Sequence, residues 1–91
     1  AGTYNENVDV TITNFLLSGA NNGVAGDALR GPETVINGAY TRPTLNSVKN
    51  NTTIDGVKIV GGTDGVSFSG DKATVKNSII SNQSGNGIVF N

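Results

Sequence analysis

Apolar residues in this chain fall at every second position in short runs, and each run stops within a few residues at Gly, Asn, Asp or Ser. Val8, Val10 and Ile12 show the pattern near the start; Val66 and Phe68, then Ile88 and Phe90, show it in the second half. A period of two predicts half-buried strands. No window has the three-and-four spacing, or the Ala, Leu, Glu and Lys content, of an amphipathic helix.

The runs recur. Thr53-Ile54-Asp55-Gly56-Val57-Lys58-Ile59 returns as Thr74-Val75-Lys76-Asn77-Ser78-Ile79-Ile80 at an offset of 21, and Asp64-Gly65-Val66-Ser67-Phe68 returns as Asn86-Gly87-Ile88-Val89-Phe90 at 22. Thr11-Ile12-Thr13-Asn14-Phe15-Leu16-Leu17 matches the first motif at an offset of 42, twice 21. Thr34-Val35-Ile36-Asn37-Gly38 resumes it, so starts at Thr11, Thr34, Thr53 and Thr74 are spaced by 23, 19 and 21 residues. Self-similarity at this period marks a solenoid. The expected fold is all-β, a parallel β-helix (β-solenoid) of about four coils in which residues 1–91 form a single domain.

Aligning the coils puts Ile12, Val35, Ile54 and Val75 in one inward column, with Phe68 on Phe90 and Val66 on Ile88 in others. Two residues on come Asn14, Asn37, Gly56 and Asn77, residue types that tolerate left-handed backbone, so a tight bend is expected there in every coil. Residues 25–32, Ala-Gly-Asp-Ala-Leu-Arg-Gly-Pro, break the pattern and read as an excursion from the stack. Arg42-Pro43 excludes a central hydrogen-bonded strand at that point.

Composition narrows the functions open to such a stack. Six basic and seven acidic residues leave a net charge of −1, and the bases are scattered, so no phosphate-tracking stripe exists and nucleic acid is not an expected partner. Without cysteine or histidine there are no disulfides, no Cys/His metal sites, no thiol nucleophile and no imidazole base. No apolar run approaches a bilayer span, and the chain reads as a mature product or an excised piece. Abundant Gly, Asn, Ser and Thr with few charges point to an extracellular, cell-surface or virion-surface setting.

By repeat and Asn bend the chain resembles the single-stranded right-handed parallel β-helix proteins, a group that includes pectate lyases, pectin methylesterases, mannuronan epimerases, NosD-like surface proteins and phage tailspikes. Ala1-Gly2-Thr3-Tyr4-Asn5-Glu6-Asn7-Val8 is similar to the "AGTYxExV" opening of pectin methylesterases and bacterial secreted β-helix repeats. In those proteins the segment leads into the first coil and carries no catalytic group. The paired Asp, Gln and Arg of the esterase motifs have no counterpart here.

Chemistry would have to come from Glu6, Asp9, Asp27, Glu33, Asp55, Asp64 and Asp71. A lyase or hydrolase on this fold needs several carboxylates converging with a base. The one column of mixed charge, Thr13, Ile36, Asp55 and Lys76, offers a single surface ion pair, Asp55 with Lys76. Asp64-Gly65 and Asn86-Gly87 read as turns; Gly61-Gly62-Thr63-Asp64-Gly65 has no Walker lysine. An outward row of Thr11, Thr34, Thr53 and Thr74 suits exposed strands, and the second threonine row of an ice-binding solenoid is missing. No residue is therefore singled out as catalytic, cofactor-binding or metal-ligating, and no cofactor is expected.

The reading leans away from an enzyme, towards a structural or adhesive module acting by shape and end-to-end association. The alternative is a fragment of a polysaccharide-active enzyme or a carbohydrate-binding solenoid. Its expected partners are further copies or neighbouring coils of a parent chain, with polysaccharide as a second class and no membrane insertion. The repeat is still at full strength at Gly87-Ile88-Val89-Phe90-Asn91, which predicts that protein outside this segment covers the last coil.

Overall fold

The computed structural model describes residues 2–23 and 31–90. Among the described residues the eleven short strands are all parallel and no helix occurs. The first circuit of the chain runs through β1 (Gly2–Tyr4), β2 (Val8–Val10) and β3 (Leu16–Ser18), and the second through β4 (Thr34–Gly38), β5 (Leu45–Ser47) and β6 (Thr53–Asp55). The third is β7 (Val57–Gly61), β8 (Val66–Phe68) and β9 (Thr74–Lys76); β10 (Ile79–Ser81) and β11 (Ile88–Phe90) begin a fourth. Sheet I has the order β1-β4-β7-β10, sheet II β2-β5-β8-β11 and sheet III β3-β6-β9. Each circuit thus visits the three sheets in the same order.

Alternation within each strand sends one set of side chains between the sheets. In register, Tyr4, Ile36, Ile59 and Ile80 form one interior row on sheet I. Sheet II supplies two, Val8-Leu45-Val66-Ile88 and Val10-Ser47-Phe68-Phe90, and sheet III supplies Leu17-Ile54-Val75. Leu45, Ile54, Val57, Ile59, Val66 and Phe68 are buried at the centre, each contributing roughly 1.5–3 kcal/mol relative to exposure. The polar members of this interior pair with each other: the Ser47 and Thr52 hydroxyls lie 2.8 Å apart, and Thr44 Oγ1 donates to the Val60 carbonyl.

Left-handed residues turn the chain between sheets. Gly61 (φ 75°) and Asn82 (φ 62°) bend it from I to II. Asn14, Asn51 and Lys72 (φ near 60°) bend it from II to III, and Gly56 (φ 79°) and Asn77 (φ 54°) from III to I. Glycine is required at 56 for a second reason, because a Cβ there would run into the Asn21–Asn22 peptide. The Asn14 and Asn51 side chains also join successive circuits, Asn51 Nδ2 donating to Asn14 Oδ1 over 2.7 Å.

Several sequence expectations are met. Phe90 stands in register with Phe68, with ring centroids 5.5 Å apart and planes 25° from parallel. Ile54 pairs with Val75, and Gly56 and Asn77 take the expected bend. The first half differs. Leu17, not Ile12, lies on Ile54, and Ile12 is 59% exposed. Val35 pairs with Lys58 in sheet I, so it belongs to neither that row nor that sheet. Asn37 sits inside β4, and Asn14 bends the chain at a different corner from Gly56. The cause is the step from the first circuit to the second, which is 37 residues in sheets II and III (Leu16 to Thr53) and 32 in sheet I (Gly2 to Thr34). The expected excursion at residues 25–32 lies mostly outside the described residues.

Candidate functional site: the two ends of the sheet stack

In the middle of the stack every strand has a neighbour on both sides. At its ends, β1, β2 and β3 are each paired on one side only, as are β9, β10 and β11, among the described residues. A bare edge offers unpaired N–H and C=O groups, and here it also uncovers the interior rows. At the first end Tyr4, Val8, Leu17 and Ile36 line an open recess of about 350 Å³, and Tyr4 is 54% exposed. Val8 and Leu17 rest on the buried core from that side.

The opposite end is stepped, because sheet III stops at β9 while sheets I and II continue to β10 and β11. Phe90, stacked on the buried Phe68, leaves 67% of its surface exposed, and Ile88 beside it is 41% exposed. Val75 and Ile80 complete the apolar surface and pack against the core from this side. Both ends thus present the same chemistry: an apolar interior ringed by strand edges.

The charges differ between the ends. The first circuit carries Glu6 and Asp9 with no Lys or Arg, whereas at the other end Lys72 and Lys76 outnumber Asp71. Glu6 lies in the connection between β1 and β2, and Lys76 closes β9 just before the Asn77 bend.

Four of the carboxylates considered for chemistry, Asp9, Glu33, Asp55 and Asp64, are dispersed into structural roles. Asp9 pairs with Arg42. Glu33 Oε1 accepts from Asn21 Nδ2 at 2.9 Å, and Asp64 Oδ1 from the Asn86 N–H at 2.9 Å. Asp55 and Lys76 face each other across sheet III as expected, but the carboxylate's hydrogen bonds come from Asn77 Nδ2 (2.9 Å) and the Gly23 N–H (3.2 Å). The Asn77 hydrogen bond, helped by Gly23 and by the Lys76 charge, holds the Asp55 carboxyl below its ordinary value despite partial desolvation. Asp27 lies outside the described residues. Among the described residues no three Asp or Glu side chains gather into a metal-binding group. No helix of the described residues is long and apolar enough to cross a membrane.

The expected threonine row does not form. Thr53 and Thr74 are neighbours, but Leu16 continues their row and Thr34 belongs to sheet I. Likewise Ile36 is buried on sheet I, so the mixed-charge column reduces to Ser18, Asp55 and Lys76. Sequence reasoning missed two asparagine clamps. Asn21, buried, donates to the Gly31 and Pro32 carbonyls and accepts from the Gly31 N–H, closing the connection between the first two circuits. Asn7 grips residues 39–43 in the same way, accepting from Ala39 N–H and donating to the Ala39, Arg42 and Pro43 carbonyls. The separation of charge between the ends was open to inspection in the sequence and became meaningful once the strands were placed.

No protein-family profile, curated protein or solved structure matches this chain.

Proposed function

We propose that this chain is a right-handed parallel β-helix module, secreted or displayed on a cell or virion surface, that works by shape and by end-to-end association of its coils. The repeated I-II-III circuit supports the β-helix reading, and parallel crossovers in proteins are right-handed in about 98% of cases. Support for the surface setting comes from a composition rich in Gly, Asn, Ser and Thr and poor in charged residues.

The observation that carries the proposal is Phe90. It extends the interior row through Phe68 by one step and leaves its outer side bare, where a further coil would cover it. Association through such an end buries apolar surface and pairs strand edges at once, the same two contributions that join neighbouring circuits inside the stack.

Sedimentation velocity of the 91-residue chain across a concentration series tests this. Association that grows with concentration and is abolished by Phe90→Asp is the expected result. A monomer at all concentrations would overturn the proposal, as would association indifferent to Phe90→Asp.

A further inference from the structure

We propose that Asn22 is a self-modifying site: the Gly23 nitrogen, whose N–H is held by the Asp55 carboxylate, closes on the Asn22 side-chain amide and gives the first circuit a slow, irreversible gain of negative charge.

The chemistry starts from the sequence. In an Asn-Gly pair the nitrogen that must attack has no Cβ beside it, and glycine reaches backbone conformations that other residues rarely adopt. The chain has three such pairs, Asn22-Gly23, Asn37-Gly38 and Asn86-Gly87. The structure separates them. Asn37-Gly38 lies inside β4, in register with Val60 and Gly61 of β7, and Gly38 is buried. Its peptide has to leave the ladder before it can react. Asn86 and Gly87 are exposed, but their carbonyls accept the Gly65 and Val66 N–H groups, and the carboxylate beside them, Asp64, accepts the N–H of Asn86. That is not the nitrogen that attacks. Asn22 and Gly23 are exposed in the turn after β3, and Gly23 (φ 79°) has open space where a side chain would stand. Here the carboxylate sits on the attacking nitrogen: the Gly23 N–H donates to Asp55 Oδ1 over 3.2 Å.

An amide nitrogen becomes nucleophilic only as its proton leaves, and a carboxylate already accepting that proton is the group placed to take it. Asn77 Nδ2, donating to the same Asp55 oxygen over 2.9 Å, holds that carboxylate in place. The Gly23 nitrogen bonds to Asn22 Cγ as the Cγ–Nδ2 bond breaks, and the proton taken by Asp55 passes to the departing nitrogen, which leaves as ammonia. Water then opens the cyclic imide at either carbonyl, leaving an aspartyl or isoaspartyl residue at position 22. One water is consumed and one ammonia released, with no oxidant or reductant.

The product strains the contact that made it. A new carboxylate stands in the same turn as Asp55, like charge beside like charge. The isoaspartyl form also adds a methylene to the backbone next to the Asn21–Asn22 peptide, which lies so close to Gly56 that a Cβ there would meet the Asn22 nitrogen. The bonds that tie this turn to the second circuit, Gly19 N–H to the Asp55 carbonyl (2.8 Å) and Asn21 N–H to the Gly56 carbonyl (3.1 Å), flank the added atom. Modification at Asn22 therefore loosens the first circuit from the second where β3 leads into the next connection.

The 91-residue chain, aged for weeks in neutral buffer, tests this by peptide mass spectrometry with fragmentation to assign each position. Asn22 should convert on the order of tenfold or more ahead of Asn37, whose strand must open first. Asp55→Ser should slow conversion at Asn22 several-fold while Asn86 in the same molecules keeps its rate, and Asp55→Glu, which retains a carboxylate, should restore part of the loss. Circular dichroism checks that both variants are folded. Conversion at Asn22 no faster than at Asn37 would overturn the site. An unchanged or raised rate at Asn22 in Asp55→Ser would overturn the role of Asp55, and so would equal slowing at Asn22 and Asn86.

Discussion

Replacing Phe68 by Ala removes the largest fully buried side chain among the described residues from within a four-residue interior row. Phe68 is 1% exposed, with Ser47 on one side, Phe90 on the other and Leu45, Ile54 and Val66 in the same cluster. A buried Phe withdraws about 150–250 Å² from water. At about 25 cal/mol per Å², that corresponds to roughly 4–6 kcal/mol for the whole side chain. Alanine keeps Cβ, and partial collapse around the cavity brings the expected loss to about 3–5 kcal/mol. Domains of this size are stable by roughly 5–15 kcal/mol, so the variant would keep a fraction of its stability and lose tens of degrees in Tm. Phe90→Ala is the internal control: the same residue in the same row, two-thirds exposed, with an expected cost of about 1 kcal/mol or less in dilute solution. Urea unfolding monitored by circular dichroism gives both numbers, with an unchanged slope confirming that the unfolding transition is comparable. A Phe68→Ala cost below about 1 kcal/mol would refute a dry interior at this row.

Three further perturbations probe other parts of the structure. Gly56→Ala combines a left-handed φ of 79° with a clash against the Asn21–Asn22 peptide, so urea unfolding should show a loss above about 1–2 kcal/mol; a neutral result would mean that the connection does not cross Gly56. Ser47→Ala and Thr52→Val each remove the other's closest hydroxyl partner, leaving only the longer contacts of Ser47 Oγ with the Lys49 N–H (3.3 Å) and of Thr52 Oγ1 with the Lys49 carbonyl (3.5 Å), and should cost about 0.5–1.5 kcal/mol singly, with the double variant costing less than the sum; strict additivity would show that the two hydroxyls are independent. The folded Asp55 carboxyl titrates below its unfolded value near 3.9, so the unfolded chain binds its proton first as pH falls. Its contribution is complete above that value and lost as pH drops through the lower folded one. Asp55→Asn should flatten the acid limb of a stability–pH profile, and an unchanged limb would contradict the hydrogen bonds from Asn77 and Gly23.

The second half of the fold was legible in the sequence because there the repeat is unbroken: offsets of 21 and 22 carry Ile54 to Val75, Gly56 to Asn77 and Phe68 to Phe90. The first half misled for a physical reason. The connection after β3 lengthens the first step to 37 residues in sheets II and III, so Thr11-Ile12-Thr13-Asn14 matches the motif in composition but not in place. Asn also has two roles here that a sequence does not separate. Asn51, Asn77 and Asn82 bend the backbone, whereas Asn7 and Asn21 use the side-chain amide to hold a connection closed. Those amide partners lie 32–36 residues away for Asn7, and no local pattern marks them.

The ends were anticipated only as an interrupted pattern. Their shape depends on the number of strands in each sheet, and the bend at Lys72 that carries the chain from β8 to β9 was not marked by the repeat. Lysine in the left-handed region is a poor sequence signal, since Gly and Asn adopt it at lower cost.

Amide hydrogen exchange, resolved by residue and measured at low and high protein concentration, tests end-to-end association most directly. The central strands β5 and β8 should be protected equally at both concentrations, because each has neighbours on both sides within one chain. Amides of β1, β2 and β3, and of β9, β10 and β11, should exchange faster when dilute and gain protection together as concentration rises. Protection of those six strands that is independent of concentration would contradict the association on which the proposed function depends.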